Sequence, residues 1–127
     1  MAPQNQPFAT EIVPCDAAGI ARAAELILAG LPVAVPTETV YGLAADATNA
    51  DAVARIFTVK ARPRSHPLIV HLGDADELDR WSRDVPPEAR RLAGLSWPGP
   101  LTIIVPRGDR VPETVTGGRD SVGLRVP

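Results

Sequence analysis

A cluster of hydrogen-bonding side chains follows the first strongly apolar run of the chain. Its members supply two hydroxyls, a carboxylate and a phenol: Thr37, Glu38, Thr39 and Tyr41. The run at 31–35 is too short for a helix and predicts a buried strand, which Pro36 would end because proline has no N–H to donate. The cluster would then lie at a strand mouth, where open α/β sheets bind ligands. Taken alone, the segment is also typical of an ordinary strand exit.

A second cluster gathers three cations and a histidine within seven residues: Lys60, Arg62, Arg64 and His66. Cations at the end of a predicted helix are mildly stabilising against its dipole, and a solvated loop is the alternative interpretation. The charges nevertheless continue through Pro63 towards Pro67, and two prolines stiffen a loop. Arginine binds phosphate as a bidentate fork and lysine binds it as a point charge. The cluster therefore predicts an anion site.

Two further polar side chains lie within otherwise apolar runs. His71 belongs to the run at 68–72, Arg125 belongs to the run at 122–126, and Ser121 precedes the second run. A lone histidine in a strand is more often packed on a face than bound to a ligand. An arginine among apolar residues must be paired, solvated at an edge or directed at a ligand.

Several common catalytic motifs are missing from the sequence. No G-x-G-x-x-G follows a predicted strand, no P-loop pattern occurs and no G-x-S-x-G elbow is present. His66 and His71 have no cysteine or third histidine at zinc-ligand spacing, so the sequence predicts no metal site formed by protein side chains. Chemistry would rest on positioning and charge neutralisation, as in phosphoryl and nucleotidyl transfer.

The elements that must position these residues alternate between strand and helix in the first half and are mostly strands in the second. We predict strands at 11–13, 31–35, 68–72, 101–105 and 122–126. We predict helices at 17–29, 50–59, after Asp74, and at 87–93 with Gly94 as its stop. The expected buried faces are Ile20, Ala23, Ala24, Ile27 and Leu28 on the first helix, and Val53, Ile56 and Phe57 on the second. The turn at 97–100 should form a rigid corner, and a polar loop containing Gly117, Gly118 and Arg119 should precede the last strand. This pattern predicts a mixed α/β sheet.

Length, composition and net charge limit the class of protein. With 127 residues, 45% hydrophobic and 22% charged, the chain fits one globular domain, which we divide into a leader at 1–9 and a domain at 10–127. A net charge of −2 and a pI near 5.6 argue against a generic polyanion binder. The single Cys15, the lack of a membrane-length apolar run and the lack of a signal peptide predict a cytoplasmic protein.

Four segments, in this order, resemble the Sua5/YrdC/YciO family: PTETVYGLAADA (36–47), IFTVKARPRSHPLIVHL (56–72), WPGPLTIIV (97–105) and SVGLRVP (121–127). The resemblance implies a YrdC-like α/β fold, with a twisted mixed parallel/antiparallel sheet and flanking helices around a cationic cavity. It implies an L-threonylcarbamoyladenylate synthase, a nucleotidyltransferase that joins L-threonine, bicarbonate and ATP and releases pyrophosphate. It further implies that a partner complex transfers the threonylcarbamoyl group to tRNA, giving threonylcarbamoyladenosine (t6A).

The resemblance also implies roles for individual residues. Thr39 and His71 would contact threonine, with Arg125 at its carboxylate. The residues expected to contact ATP are Arg62, His66 and Ser121. Lys60 and Arg62 would act in catalysis, and Lys60 would complete the cationic wall. Thr37 and Tyr41 would line the cavity. Mg²⁺ would accompany the ATP.

The sequence departs from the family at its far end. The family domain normally continues beyond the GLRVP strand into a Ser-x-Asn segment, so we expect a C-terminally incomplete domain with little synthase activity alone. Position 66 is His, where many relatives carry Asn. Two alternatives remain open: a non-catalytic module that binds double-stranded RNA or tRNA through the same charge, and a paralogue with another carbamoyl or nucleotide substrate.

Overall fold

The computed structural model describes residues 9–127, so the predicted leader lies, except for Ala9, outside the described residues. The elements in chain order are α1 (Ala17–Leu28), β1 (Val33–Val35), β2 (Gly42–Ala44), α2 (Ala50–Lys60), β3 (Ile69–His71), α3 (Leu78–Trp81), α4 (Pro87–Ser96), β4 (Ile103–Pro106), α5 (Glu113–Thr116) and β5 (Ser121–Arg125). A 3₁₀ turn at Ala75–Glu77 leads into α3.

The strands form two separate sheets. In the larger one the order is β3-β5-β4, with β3 parallel and β4 antiparallel to the central β5. The predicted mixed sheet is therefore confirmed. Strands β1 and β2 pair only with each other among the described elements, as an antiparallel hairpin. Pro32 and Pro36 bracket β1 and lack the N–H that a further neighbouring strand would need, so the single sheet that we expected is divided.

The core lies where α2 and α4 cover the mixed sheet. Its buried residues come from α2, α3, α4, all three strands of that sheet and the segment around α5. The predicted buried face of α2, formed by Val53, Ile56 and Phe57, is confirmed, since each is less than 5% exposed. The side chain of Asn49 caps this helix by accepting hydrogen bonds from two backbone N–H groups of the first turn, at 3.1 and 3.2 Å.

Helix α1 forms as predicted but does not bury the predicted face. Asp16 caps it by accepting a hydrogen bond from the Gly19 N–H at 2.8 Å, and Gly30, with φ at +87°, follows its end. None of the five stripe residues is buried: Ile20 is 60% exposed, Leu28 is 77% exposed, Ala24 is exposed as well, and Ala23 and Ile27 are only partly buried, so the expectation of a buried apolar stripe is wrong. The strand next to α1 is β1, and a two-stranded hairpin is too small a surface to cover the whole stripe.

Four details of the predicted elements are wrong. Residues 11–13 form no strand, because they have no pairing partner among the described residues. Helix α4 continues through Gly94 to Ser96, since Gly94 does not take the positive φ with which a glycine usually ends a helix. Strand β2 and helix α5 were not predicted. Pro112 before α5 and Gly117 after it are the usual signals of a short helix, but α5 has only four residues.

Candidate substrate-binding cleft

One cleft of about 630 Å³ gathers most of the predicted site residues. Its walls come from the β1–β2 hairpin, from α2 with the loop after it, and from the ends of β3 and β5. The polar or charged side chains in its lining are Thr37, Thr39, Tyr41, Lys60, Arg62, His71 and Arg125. The sequence predicted all seven as site residues, and the fold brings them together from segments up to 88 positions apart (125 − 37).

The hairpin turn is organised by the hydroxyl of Thr37. Its Oγ1 donates to the carbonyl of Val40 at 2.6 Å and accepts from the backbone N–H groups of Thr39 and Val40, each at 3.2 Å. The hydroxyl oxygen of Thr39 lies 3.0 Å from Oγ1 of Thr37. Thr37 therefore lines the cleft but uses its hydroxyl to shape the turn, whereas Thr39 presents an exposed hydroxyl. Tyr41 is also exposed.

His71 and Arg125 lie side by side because of the register of the mixed sheet. The two residues are paired across the parallel strands β3 and β5, at the C-terminal end of each strand. The carboxyl ends of parallel strands share one edge of a sheet, which is where open α/β sheets bind ligands. The exposed His71 ring has Nδ1 3.2 Å from the carbonyl oxygen of Ile69.

Arg125 is buried and held from two sides. Its Nε donates to the carbonyl of Gly99 at 2.9 Å, and its Nη2 forms an ion pair with Oε1 of Glu38. Gly99 belongs to the turn predicted as a rigid corner, and its own N–H donates to the carbonyl of Val126 at 2.8 Å. The Trp97 indole N–H, donating to the Leu101 carbonyl at 2.7 Å, ties the other side of this turn. The corner thus fixes the guanidinium in the cleft wall.

Sequence reasoning did not assign a role to Glu38. The residue lies on the hairpin turn, and its carboxylate reaches the guanidinium at the end of β5, so the ion pair links the hairpin to the mixed sheet. One signal in the sequence was a carboxylate between two threonines. The need of Arg125 for a partner was a second signal, but neither identified the pair.

The cationic loop, which we define as residues 60–67, contributes only part of its charge to the cleft. Lys60 ends α2, Ala61 follows with φ at +52°, and the Arg62 N–H donates to the Phe57 carbonyl at 3.0 Å. Within residues 9–127, no acidic side chain lies within 4.0 Å of the charged groups of Lys60 and Arg62. These two residues therefore offer unpaired positive charge to an anion.

The remaining basic residues of the loop point elsewhere. Arg64 and His66 are exposed and outside the cleft lining, and His66 closes a turn through its N–H to the carbonyl of Pro63 at 3.0 Å. Ser121 begins β5, opposite Pro106, and lines a shallow depression on a different part of the surface. The structure thus does not bring His66 and Ser121 to the cleft, and their contacts to ATP stay predictions.

The acidic residues with perturbed pKa values lie outside the cleft lining. The Arg22 guanidinium, 2.9 Å from Glu11, holds the pKa of that carboxyl below its usual value. The Arg90 guanidinium, with Nη2 2.8 Å from Oδ1 of Asp79, likewise holds the pKa of the Asp79 carboxyl below its usual value. Across residues 9–127, no three His, Cys, Asp or Glu side chains converge in a group that could hold a metal ion. No helix in the same range is long and apolar enough to cross a membrane.

Comparison with models of protein families gives a match over most of the chain. A family model named Sua5_yciO_yrdC, with the description telomere recombination, matches residues 25–127. The chain belongs to the Sua5/YciO/YrdC family. The resemblance of the four sequence segments to this family is therefore confirmed.

Individual members of the family are similar over most of this chain. A threonylcarbamoyl-AMP synthase from Pyrococcus abyssi is 48% identical over 105 residues, which are 83% of this chain and 31% of the relative. A threonylcarbamoyl-AMP synthase from Bacillus subtilis is 45% identical over 109 residues, 85% of this chain and 32% of the relative. The chain thus spans about a third of the length of these two relatives.

Solved structures of the family share the fold. The crystal structure of P. abyssi Sua5 complexed with L-threonine matches with a TM-score of 0.83 and 47% identity, over 85% of this chain and 33% of that chain. The crystal structure of E. coli YciO matches with a TM-score of 0.75 and 29% identity, over 87% of this chain and 53% of that chain. The predicted YrdC-like α/β fold is therefore confirmed.

Proposed function

We propose that the cleft binds L-threonine and ATP together and serves the synthesis of L-threonylcarbamoyladenylate. In this reaction the threonine amine combines with bicarbonate and loses water to give a carbamate. A carbamate oxygen then attacks the α-phosphorus of ATP, and pyrophosphate leaves. The product would pass to a complex that transfers the threonylcarbamoyl group to tRNA. We also propose a cytoplasmic location, since the free and exposed Cys15 fits a reducing compartment.

The observation that carries the proposal is the division of the cleft into two kinds of wall. Lys60 and Arg62 supply positive charge without an acidic partner among residues 9–127, which suits the phosphates of a nucleotide. In other parts of the cleft lining, Arg125 and His71 lie at the sheet edge and Thr39 lies on the hairpin. A guanidinium and a hydroxyl are the groups that a hydroxylated amino acid requires at its carboxylate and side chain. The similarity to threonylcarbamoyl-AMP synthases, and to a structure complexed with L-threonine, agrees with this division.

Catalysis in such a cleft would rest on electrostatics and positioning. Negative charge builds up on the leaving pyrophosphate, and fixed cations stabilise it in a partly enclosed site. We assign this role to Lys60 and Arg62. Mg²⁺ bound to ATP would add to it, and its ligands would be phosphate oxygens and water, because the described residues offer no cluster of acidic ligands and Mg²⁺ commonly binds in this way.

The test of the proposal is ligand binding followed by turnover. Isothermal titration calorimetry should show that the chain binds Mg·ATP and L-threonine at the same time. L-Valine should compete for the threonine site at least tenfold less well, because a site that hydrogen-bonds a hydroxyl rejects the analogue without one. Pyrophosphate release that needs both threonine and bicarbonate would support the complete reaction. Binding of duplex RNA without binding of ATP or threonine would instead favour the RNA-binding alternative.

A further inference from the structure

We propose that Arg119 and Gly117 form a clamp that holds the cationic loop in its phosphate-binding position. Arg119 is then a positioning residue for nucleotide binding, although it is outside the cleft lining itself. The inference rests on the proposed function, because it assumes that Lys60 and Arg62 meet the phosphates of ATP.

The clamp is visible in the hydrogen bonds of the Arg119 side chain. Its Nη1 donates to the carbonyl of Ser65 at 3.0 Å and to the carbonyl of Thr116 at 3.3 Å. Ser65 is in the cationic loop, whereas Thr116 is the last residue of α5, 51 positions later in the chain (116 − 65). One guanidinium nitrogen therefore joins two segments that are distant in the sequence.

Gly117 makes this approach sterically possible. It has φ at +62°, and a Cβ built on it would lie only 2.5 Å from the Ser65 carbonyl oxygen and 3.0 Å from Nη1 of Arg119. A side chain at this position would push the loop away from α5. The neighbouring Gly118 also has a positive φ, +84°, but a Cβ there would meet no atom within 4 Å. The two glycines thus share a backbone requirement, and only Gly117 touches the loop.

The base of the clamp is fixed by contacts that do not involve the Arg119 side chain. Immediately after the cationic loop, the Leu68 N–H donates to the carbonyl of Val115 at 2.7 Å. The hydroxyl of Thr116, itself buried, donates to the Arg119 carbonyl at 2.9 Å and so sets the course of the backbone around the two glycines. The loop from Arg62 to Pro67 is therefore seated against α5. Loss of the Ser65 contact would free the part of the loop that follows Arg62.

The experiment measures loop mobility and ligand binding in the same variants. In Arg119→Ala, hydrogen–deuterium exchange of residues 61–67 should become faster and the Kd for Mg·ATP should rise about fivefold to tenfold, the scale of one ordinary intramolecular hydrogen bond. The Kd for L-threonine should change by less than twofold. Arg91→Ala is the control, because Arg91 is exposed on α4 and its loss removes the same charge.

A second pair of variants changes the clamp without changing charge. Gly117→Ala should accelerate exchange in the cationic loop and weaken ATP binding more than Gly118→Ala does, since both carry the cost of a positive φ and only the first displaces Ser65.

Arg119→Lys keeps the charge but not the planar fork. If Arg119→Lys restores full ATP affinity while exchange in Arg119→Ala matches that in Arg91→Ala, the effect is due to charge and the clamp is refuted.

The two levels of the inference can fail separately. If the unaltered chain binds no ATP, the proposed function fails, whereas faster loop exchange in Arg119→Ala and Gly117→Ala would still support the clamp. Unchanged loop exchange in both variants would refute the clamp whatever the chain binds.

Discussion

Replacement of Glu38 by Gln tests whether a carboxylate of this chain occupies the face of Arg125 that a substrate carboxylate would use. In the structure Glu38 pairs with Nη2 of Arg125, and the Nε of the same guanidinium is already bonded to the carbonyl of Gly99. A substrate carboxylate that binds Arg125 must therefore share the guanidinium with Glu38 or displace it. We predict displacement, because two carboxylates on one guanidinium repel each other.

The magnitude follows from the exposure of the two side chains. Arg125 is 11% exposed and Glu38 is 40% exposed, so the pair is intermediate between a surface pair and a buried one. Exposed pairs contribute about 0.2–1 kcal/mol, whereas removal of one partner from a buried pair costs about 3–5 kcal/mol. Glu38→Gln should accordingly lower the free energy of unfolding of the ligand-free chain by about 1–2 kcal/mol. The amide oxygen of glutamine keeps a weaker hydrogen bond to the guanidinium.

The same variant should bind threonine more tightly, although it is less stable. The substrate carboxylate no longer has to displace an ionised group, and about 1.4 kcal/mol recovered in binding corresponds to a tenfold lower Kd. The assays are urea denaturation for stability and calorimetric titration with L-threonine for affinity. Glu25→Gln is the matched control, because Glu25 also pairs with an arginine, Arg22 at 3.3 Å, but outside the cleft.

One combination of results would refute this reasoning. If Glu38→Gln loses stability as expected but binds threonine no better than the unaltered chain, Glu38 does not compete for the guanidinium. A threonine affinity that falls in Glu38→Gln and not in Glu25→Gln would mean that the carboxylate contacts the substrate directly.

Three further predictions concern the cationic loop, the core and the surface. Arg62→Ala should weaken Mg·ATP binding by about 1.5–3 kcal/mol in calorimetry, the value of a hydrogen bond to a charged group, and unchanged affinity would contradict a phosphate contact. Phe57→Ala should lower the free energy of unfolding in urea by about 3–5 kcal/mol, whereas Val59→Ala on the same helix, 64% exposed, should change it by less than about 1 kcal/mol. Because Arg90 lowers the pKa of Asp79, their pair stabilises the fold above the usual carboxyl pKa and this contribution is lost as the pH falls through the lowered value. The melting temperature of Asp79→Asn should therefore lie below that of the unaltered chain at pH 7 and converge with it at low pH, and a constant difference would contradict the assignment.

Elements whose signals are local were predictable from the sequence. Helix α2 is the clearest case, because Asn49 caps it and Val53, Ile56 and Phe57 recur at helical spacing on the face that is buried. The same reasoning failed for α1, which has a capping residue and a regular apolar stripe. Periodicity identifies the face that could be buried, but whether another surface covers it depends on the rest of the fold. Here the neighbouring sheet has only two strands, and Leu28 remains exposed.

The residues that contribute chemistry were easier to predict than the residues that hold them. Lys60 and Arg62 stand out because unusual charges between prolines are visible in the sequence itself. Arg119 does not stand out, since its role depends on a carbonyl at Ser65, 54 positions earlier in the chain. A backbone acceptor has no side-chain signature, so no pattern of residue types could have identified it.

Arg125 shows where sequence reasoning ends and structure is required. A cation among apolar residues of a strand needs a partner that compensates its charge, and this need can be predicted from the sequence. Two solutions satisfied it equally, a carboxylate of the chain and a carboxylate of a ligand. The fold supplies the first, because the hairpin turn carries Glu38 to the C-terminal end of β5. An uncompensated buried guanidinium would destabilise the ligand-free chain by several kcal/mol. An internal carboxylate therefore lets the chain keep a buried arginine in the cleft wall before any substrate binds, at the cost of competing with that substrate afterwards.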